Sequence, residues 1–426
     1  GGGERRQHVR MAGTAGDQAQ RGPAGQARPG VGGVARAGLV ADVDNPQPRA
    51  GRFDENFVEV IAHQRKETVD TKLAQGRDEY LRAGLHRVVI LRKSSESSPL
   101  HFPMAKLLVT GGAGYIGSHT THLLLKHGHD VIVADDLSRG HRHNVAPGRL
   151  RVLNLADTQA VAALMAEEKV EAVIHFAAYI AVGESTREPE LYFANNVGGS
   201  VSLFAAMRRA GVARLVFSST AAVYGTPGRA PITEDMPFAP VSPYGESKVM
   251  VEKILGWLDR TRGLRSIALR YFNACGAEPG SGLGEEHEPE THLIPLVFRA
   301  IRTGEPITVF GADYDTPDGT CIRDYIHVSD LAEAHILAVE SLLNGGPSGA
   351  FNAGTGAGHS VFQVIGAIEQ VTGRKVPYQV GARREGDPAV LVADSRKLQK
   401  ALGWQPRYTD LKDIVRTAWD FERSRG

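Results

Sequence analysis

The feature that most constrains the fold of this chain is a run of glycines between positions 111 and 117, with the sequence GGAGYIG. It follows a short apolar strand, predicted over residues 106–110, and precedes an apolar-periodic helix, predicted over residues 115–128. Gly111, Gly114 and Gly117 stand where a chain must turn tightly, approach a pyrophosphate and pack a helix against a strand. The helix N-terminus would offer free N–H groups to phosphate oxygens. The run therefore predicts a cradle for a dinucleotide.

A carboxylate after the second predicted strand indicates which dinucleotide is bound. The strand covers residues 131–134, and Asp135 follows it, roughly 20 residues beyond the glycines. Because a carboxylate there can accept hydrogen bonds from both ribose hydroxyls and would repel a 2′-phosphate, we expect NAD and not NADP. An ordinary strand–turn–helix with incidental glycines is the alternative, and the combination of strand, spacing, helix and acid argues against it.

A tyrosine and a lysine one helical turn apart are the candidate catalytic pair. Tyr244 and Lys248 lie at i and i+4 of a helix that should begin at Pro243, with Ser242 as its N-cap. A free phenol has a pKa of about 10 and is a poor base at neutral pH. We expect Lys248 and the positive nicotinamide ring to lower this pKa to roughly 7, which requires about 4 kcal/mol.

The strand that precedes this helix supports the assignment, since a tyrosine and lysine at this spacing also occur by chance on surface helices. Residues 215–220 form an apolar strand that ends in three hydroxyl residues, Ser218, Ser219 and Thr220. Ligands bind outside the carboxyl ends of the strands in parallel sheets. The hydroxyl groups therefore mark the expected place of the substrate.

Alternating strand and helix patterns from Met104 onward predict an α/β protein with a Rossmann-type, doubly wound parallel sheet. We expect an NAD-binding domain at residues 104–275. A smaller α/β domain for the substrate follows at residues 276–426, with helices near 293–303 and 361–372. Residues 1–103 are expected to be a disordered extension or the product of a mis-assigned start, although residues 57–91 could form a helix and a strand.

Six short stretches carry a resemblance to known enzymes. Residues 110–119, 218–225 and 242–248 resemble the extended short-chain dehydrogenase/reductase superfamily. Residues 270–273, 319–328 and 383–387 narrow the resemblance to the UDP-glucose 4-epimerase family. The resemblance implies interconversion of UDP-glucose and UDP-galactose through a 4-keto intermediate, with tightly held NAD and a homodimeric assembly. Returns of the chain to the sheet around residues 325–342 are likewise implied by the resemblance, not by the pattern of strands and helices.

The resemblance also assigns roles to individual residues. It implies catalysis by Tyr244 as the base, with Lys248, and with Thr220 bonded to the C4 oxygen. Arg323 and Arg384 are the expected diphosphate ligands, because guanidinium groups suit phosphate oxygens. The implied cofactor-binding residues are Gly111, Gly114, Tyr115, Ile116, Gly117, Asp135, Asn154, Leu155, Phe176, Ala177, Asn195, Tyr244, Lys248 and Phe272. The implied substrate-binding residues are Thr220, Asn273, His292, Leu293, Phe310, Arg323, Tyr325, Arg384, Asp387 and Leu391.

Several alternative functions remain to be compared. Related dehydratases carry two acids where this chain has Ala221 and Ala222, which cannot transfer protons, so elimination chemistry is disfavoured. A non-catalytic NAD-sensing regulator would characteristically lack the tyrosine–lysine pair. A 4-epimerase acting mainly on UDP-N-acetylglucosamine or UDP-glucuronate is the second candidate among enzymes. Leu391 occupies the position that faces the C2 substituent in the family, and its intermediate size predicts slow turnover of N-acetyl sugars.

The composition of the chain limits the kinds of molecule that it is expected to bind. The formal net charge of +1 gives no general attraction to nucleic acid or to a membrane surface. The two cysteines indicate a reducing compartment, which we take to be the cytoplasm, without a disulfide framework. No metal site is expected, because no thiolate or carboxylate cluster joins the histidines of the first helix region, His119, His122, His127 and His129.

Overall fold

The computed structural model describes residues 104–228, 230–384 and 386–425. The elements predicted between residues 57 and 91 lie outside the described residues. Thirteen strands are present in this part of the chain. They are β1 Lys106–Thr110, β2 Asp130–Asp135, β3 Leu150–Val152, β4 Ala172–His175, β5 Arg214–Thr220, β6 Arg265–Tyr271, β7 Asn273–Cys275, β8 Ile307–Phe310, β9 Ile322–His327, β10 Gly349–Ala353, β11 Gly358–Ser360, β12 Tyr378–Gly381 and β13 Val390–Leu391.

The helices alternate with these strands. Their bounds are α1 Tyr115–Lys126, α2 Thr158–Glu167, α3 Val182–Arg187, α4 Pro189–Tyr192, α5 Gly199–Ala210, α6 Pro243–Arg262, α7 Leu293–Thr303, α8 Val328–Leu343, α9 Val361–Thr372, α10 Arg396–Leu402 and α11 Leu411–Ser424. Short 3₁₀ helices cover Arg142–Asn144 and Ala221–Tyr224, and a π-helical turn covers Phe193–Gly198. Among the described residues, no helix has both the length and the apolar character needed to cross a membrane.

The main sheet contains seven parallel strands in the order β10-β6-β5-β4-β1-β2-β3. The chain order reverses between β1 and β4, and ligands bind at such a switch point in doubly wound sheets. Because both faces of the sheet are covered by helices, its strands read as continuous apolar runs. The predicted α/β, Rossmann-type fold is confirmed.

Alternate residues of β1 enter two separate cores. Leu107 and Val109 pack with residues of α1 and α8 on one face of the sheet. Leu108 packs on the other face, with residues of α2, α5 and α6. Burial on both faces fixes the carboxyl end of β1, where the glycine-rich run begins, beside the carboxyl end of β4.

A third core lies in the second half of the chain. It is formed by apolar residues of α7, α9 and α11, together with Cys275, Val309 and Tyr325. Two small sheets accompany it: β11, β9, β13 and β7 form one, and β12 and β8 form the other. Helix α8 and strand β10 return to the main sheet from this half of the chain, since α8 packs in the first core and β10 pairs with β6.

A helical stretch before β5 is interrupted in its interior. Between residues 189 and 210 it is divided into α4, the π-helical turn and α5. The buried side chain of Asn196 donates to Tyr179 O and to Ser247 Oγ from within the turn. A π turn of this kind inserts one extra residue into a helix without changing its apolar pattern much, so periodicity does not reveal it.

Candidate active site

The three glycines of the cradle differ in how closely other backbone atoms approach them. Gly111 has a φ of +72°, and a Cβ there would lie 2.4 Å from the backbone nitrogen of Ala177. A Cβ on Gly117 would lie 2.3 Å from the carbonyl oxygen of Gly111. A Cβ on Gly114 would meet only that same oxygen, at 3.4 Å. Gly111 and Gly117 therefore keep the loop folded, while Gly114 leaves its outer face open to a ligand.

Helix α1 begins directly after Gly114, with Tyr115 and Ile116 as its first two residues. The first N–H groups of a helix have no intrahelical acceptors and favour an anionic ligand. The buried hydroxyl of Tyr115 donates to Gly276 O at 2.6 Å. This contact ties the start of α1 to the segment that follows β7.

Asp135 lies at the end of β2, beside the glycine loop. Its carboxylate accepts from Ala113 N and from Leu137 N, both at 2.9 Å, and burial raises its pKa. Asn154 lies nearby, where its amide donates to Asp136 Oδ2 at 3.1 Å. Each carboxylate oxygen of Asp135 keeps a lone pair beyond its backbone contact, so a ribose hydroxyl can still be bound.

The remaining residues of the proposed cofactor set lie on neighbouring elements. Phe176 and Ala177 follow β4, and both of their N–H groups donate to Thr110 O, at 2.9 and 3.1 Å. Asn195 lies in the π-helical turn and donates to the side chain of Asn196 at 3.0 Å. Leu155 is half-buried and packs against the second core.

The candidate catalytic pair lies on α6, the helix that the sequence predicts to begin at Pro243. Ser242 is the N-cap, since its hydroxyl accepts from Gly245 N at 3.2 Å, and Pro243 is the first helical residue. Tyr244 and Lys248 are both buried. The ammonium of Lys248 lies 5.9 Å from the centre of the Tyr244 ring.

Burial sets the protonation of Tyr244 and Lys248 in the chain alone. Burial raises the pKa of Tyr244 to about 12, opposed by its hydrogen bond with Thr220. Burial lowers the pKa of Lys248 to about 7. The expected pKa of roughly 7 for the phenol therefore depends on the cofactor's positive charge in addition to Lys248.

Only one of the three hydroxyl residues at the end of β5 faces the phenol. Ser218 Oγ lies 2.5 Å from Tyr271 Oη, and Ser219 Oγ donates to Glu252 at 2.5 Å. Thr220 is the hydroxyl residue that lowers the pKa of Tyr244 from beside it. The two serines are therefore engaged within the protein, and Thr220 remains the candidate hydroxyl for the substrate.

A buried ion pair behind the site was missed by sequence reasoning. Arg270 NH2 lies 2.6 Å from Glu252 Oε2, and each side chain is only 7% exposed. Glu252 lies one turn beyond Lys248 on α6, and Arg270 lies on β6. The sequence could have indicated that Glu252 lies near the site. Tyr244, Lys248 and Glu252 are spaced four residues apart, which places all three on one helical face.

Strand register brings the predicted substrate residues toward the catalytic pair. Thr220 of β5 lies opposite Tyr271 of β6, two residues before Asn273. Asn273 of β7 lies opposite Tyr325 of β9. Two residues earlier in β9, Arg323 lies opposite Leu391. These register positions on β5, β6, β7 and β9 therefore form a continuous line of residues from Thr220 to Arg323.

Apolar packing closes the side of this path. Phe272 and Leu391 are half-buried against a small core of Val223, Tyr224, Ile232 and Val249. Val223 belongs to the 3₁₀ helix that directly follows Thr220. Leu391 is therefore held in the same apolar cluster as residues next to the catalytic hydroxyl.

The three arginines of this region differ in their partners. Arg323 is 11% exposed and forms an ion pair with Asp387. Arg384 stacks its guanidinium over the ring of Phe310, 4.0 Å from the centroid. Arg383 instead contacts Asp313 at 2.7 Å and is 45% exposed, as expected for a solvated surface pair.

His292 and Leu293 lie at the start of α7, and His292 belongs to a cluster that sequence reasoning missed. The cluster, called the 285–292 cluster below, brings one ligand atom of each of four side chains within 4.8 Å of the others: Glu285, His287, Glu290 and His292. The spacing of these residues was visible in the sequence. The segment has no helical or strand periodicity, because it is rich in glycine and proline, so the sequence did not show which side chains converge.

The histidines near α1 are not all at the surface. His119 and His129 are buried, and His127 and His129 pair with the carboxylate of Glu340 at 3.9 and 3.4 Å. Glu340 comes from α8, so the sequence could not show this neighbour. Cys275 is buried and unpaired, in agreement with a packing role.

Comparison with known proteins agrees with this geometry. Residues 107–354 match the NAD dependent epimerase/dehydratase family. A UDP-glucose 4-epimerase from Lactobacillus helveticus is 48% identical over 321 residues, which cover 75% of this chain and 97% of that protein.

Two crystal structures are similar across the same part of the chain. That of UDP-glucose 4-epimerase from Brucella ovis in complex with NAD is 46% identical, with a TM-score of 0.73, and covers 74% of this chain and 98% of its own. That of the enzyme from Stenotrophomonas maltophila, with bound NAD and formylated UDP-arabinopyranose, is 41% identical, with a TM-score of 0.73, and covers 75% of this chain and 98% of its own.

Proposed function

This chain belongs to the NAD dependent epimerase/dehydratase family, and from this premise we propose that it is a UDP-glucose 4-epimerase. It interconverts UDP-glucose and UDP-galactose through a 4-keto sugar. The observation that carries the proposal is the buried phenol of Tyr244 beside the hydroxyl of Thr220, with the ammonium of Lys248 one turn away. This arrangement suits oxidation and reduction at a single carbon, and the adjacent Ala221 and Ala222 offer no acid for elimination.

The glycine loop fits NAD, because its two tightest glycines leave no room for a side chain and its third faces outward. The phosphates would lie at the N–H groups of Tyr115 and Ile116, and the adenosine ribose at Asp135. Asn154, Leu155, Phe176, Ala177, Asn195 and Phe272 complete the proposed cofactor set. The bound cofactor supplies a hydride acceptor and donor for C4 of the sugar.

The chain's own groups manage the proton and the orientation of the sugar. Tyr244 removes the proton of the 4-hydroxyl and later returns it. Thr220 orients the sugar by a hydrogen bond to its C4 oxygen. Lys248, held against β5, supplies positive charge that favours the phenolate.

The nucleotide must stay bound while the 4-keto sugar turns to present its other face. Arg323 and Arg384 hold the diphosphate with Asn273, since charge-assisted hydrogen bonds from guanidinium groups are strong. Asp387, which pairs with Arg323, accepts from the uridine ribose in this proposal. His292, Leu293, Phe310, Tyr325 and Leu391 complete the proposed substrate set.

Assembly and location belong to the same proposal. We infer a homodimer in the cytoplasm, acting on small molecules and not on nucleic acid. The two helices α5 and α6 expose large apolar side chains, including Val201, Met250 and Trp257, and exposed apolar groups of this kind suit a subunit interface. The division at residue 275 into a cofactor part and a substrate part is likewise part of the proposal.

Incubation of the purified chain with UDP-galactose tests the function directly. We expect UDP-glucose to appear by NMR without added NAD, because the cofactor should remain bound through purification. Tyr244→Phe should lose most of the turnover, about 10²–10⁴-fold, because it removes the general base. Tyr378→Phe is the matched control, since Tyr378 is an exposed tyrosine on β12.

The outcome also separates the alternatives. A chain that binds NAD and UDP-sugars but converts none of them would be a sensor and would contradict the proposal. A panel with UDP-N-acetylglucosamine and UDP-glucuronate identifies the preferred sugar, and faster turnover of either would replace UDP-glucose as the substrate.

A further inference from the structure

We propose that the 285–292 cluster binds a divalent transition-metal ion, for which Zn²⁺ is the best match. The site does not include Tyr244 or Lys248 and shares only His292 with the proposed substrate set. The proposal does not depend on the identity of the sugar substrate. It departs from the expectation of no metal, which weighed only the histidines near α1.

The distances within the cluster suit a four-coordinate ion. His287 Nδ1 lies 3.4 Å from Glu285 Oε1 and 3.6 Å from Glu290 Oε2. His292 Nδ1 lies 3.9 Å from Glu290 Oε1 and also contacts Glu285 Oε1. A tetrahedral ion with bonds of about 2.0–2.2 Å holds its ligand atoms about 3.4 Å apart. Small side-chain adjustments would therefore complete the coordination.

The ligand types favour zinc over other common cations. Two imidazole nitrogens with two carboxylate oxygens suit Zn²⁺, whereas Mg²⁺ and Ca²⁺ prefer sites built from oxygen alone. Two carboxylates with two neutral imidazoles carry a charge that one divalent ion cancels. The site would then be electrically neutral, which favours its burial.

The unsatisfied nitrogen of His287 is the second observation. Its Nδ1 is buried and makes no hydrogen bond among the described residues; the carboxylates of Glu285 and Glu290 approach it only at ion-pair distances of 3.4 and 3.6 Å. Buried polar groups normally make well-formed hydrogen bonds, so a ring nitrogen that lacks one calls for an explanation. Glu285 is itself only 8% exposed. A bound ion would satisfy both groups.

The position of the cluster indicates a structural role. The ring of His287 meets the ring of Tyr115 edge-on, with centroids 6.1 Å apart. His292 directly precedes Leu293, the first residue of α7. An ion held by four protein ligands, as in closed structural sites, would fix the loop before α7 against the start of the cofactor helix.

Metal analysis of the full-length chain, purified without a metal-binding tag, tests the site. After dialysis against a weak chelator, we expect about one zinc ion per chain, as for a structural site. His287→Ala should lose this zinc, whereas Glu286→Gln should keep it. Glu286 is the matched control because it lies within the same loop but pairs outside the cluster, with His143 and Arg425.

Two further measurements keep the test decisive even if His287→Ala folds poorly. Replacement of zinc by Co²⁺ in the unaltered chain should give the intense visible absorption of a four-coordinate ion. Added Zn²⁺ should raise the melting temperature of the metal-free unaltered chain and of Glu286→Gln. An unaltered chain that holds no zinc and shows no shift would overturn the proposal, leaving a cluster of imidazolium–carboxylate ion pairs. Equal zinc loss in Glu286→Gln would overturn it as well.

Discussion

Lys248 reaches back from α6 to β5, where its ammonium donates a 2.8 Å hydrogen bond to the carbonyl oxygen of Ser218. It also lies 4.9 Å from the centre of the Phe217 ring. The side chain is thus fixed to the strand that ends in Thr220, and the helix that carries Tyr244 is fixed with it. A single lysine therefore sets both the charge near the phenol and the spacing between helix and strand.

Replacement of Lys248 by methionine should lower the rate by at least about tenfold near neutral pH, because the phenolate loses its cation. Burial lowers the pKa of Lys248 to about 7, so its charge is present below that pH and lost above it. The rate difference between Lys248→Met and the unaltered chain should therefore be largest below pH 7 and shrink above it. A pH profile of kcat measures this, and a difference independent of pH would contradict the electrostatic role.

Replacement of Arg323 by alanine should raise KM for UDP-galactose by about 10–150-fold, the loss of a charge-assisted hydrogen bond worth roughly 1.5–3 kcal/mol. It also leaves Asp387 without its ion-pair partner, so the remaining negative charge repels the diphosphate. Arg383→Ala is the matched control, because Arg383 is paired with Asp313 at the surface. Steady-state kinetics on both variants decide the matter, and an unchanged KM in Arg323→Ala would remove it from the site.

Replacement of Leu391 by serine should raise the rate on UDP-N-acetylglucosamine relative to UDP-glucose. Discrimination by apolar bulk is typically worth only about 1–3 kcal/mol, so we expect a change in the ratio of roughly tenfold or more. Val390→Ser is the control, since neighbouring residues of a strand face opposite sides. If the ratio stays constant in Leu391→Ser, this residue does not line the sugar pocket.

The glycine run and the tyrosine–lysine pair could be predicted because each is local in sequence and belongs to one regular element. Contacts between distant elements could not. Glu340 beside His129 comes from α8, and Arg270 beside Glu252 joins a strand to a helix. The pairing of β10 with β6 likewise depends on a chain return across the second half of the molecule.

The protonation state of the Tyr244 phenol also could not be predicted from the sequence, for a physical reason. The spacing of Tyr244 and Lys248 shows that they are neighbours, but it does not show how deeply both are buried. Burial penalises charge on either group, so in the chain alone it raises the pKa of the phenol and lowers the pKa of the ammonium. The local pattern therefore predicted that Tyr244 and Lys248 are neighbours on one helix, which the structure has, while their pKa values depend on the packed environment.

A buried neutral histidine should make the fold sensitive to acid. His335 is fully buried; its Nδ1 contacts Leu331 O at 2.8 Å, and its Nε2 has no partner among the described residues. Its ring packs 4.6 Å from the ring of Phe176. Burial lowers its pKa to about 4, below the value of about 6.5 expected in the unfolded chain.

Because the folded pKa is the lower one, the unfolded chain takes up a proton first as the pH falls. The stability contributed by neutral His335 is present above pH 6.5 and is lost between about pH 6.5 and 4, at up to about 1.4 kcal/mol per pH unit. His335→Asn keeps a donor near the position of Nδ1 but cannot titrate. The free energy of unfolding, measured in urea from pH 7.5 to 4.5, should therefore fall less steeply in this variant. His143→Asn, at an exposed histidine, should leave the slope unchanged, and an equal slope in His335→Asn would show that His335 is already charged in the folded chain.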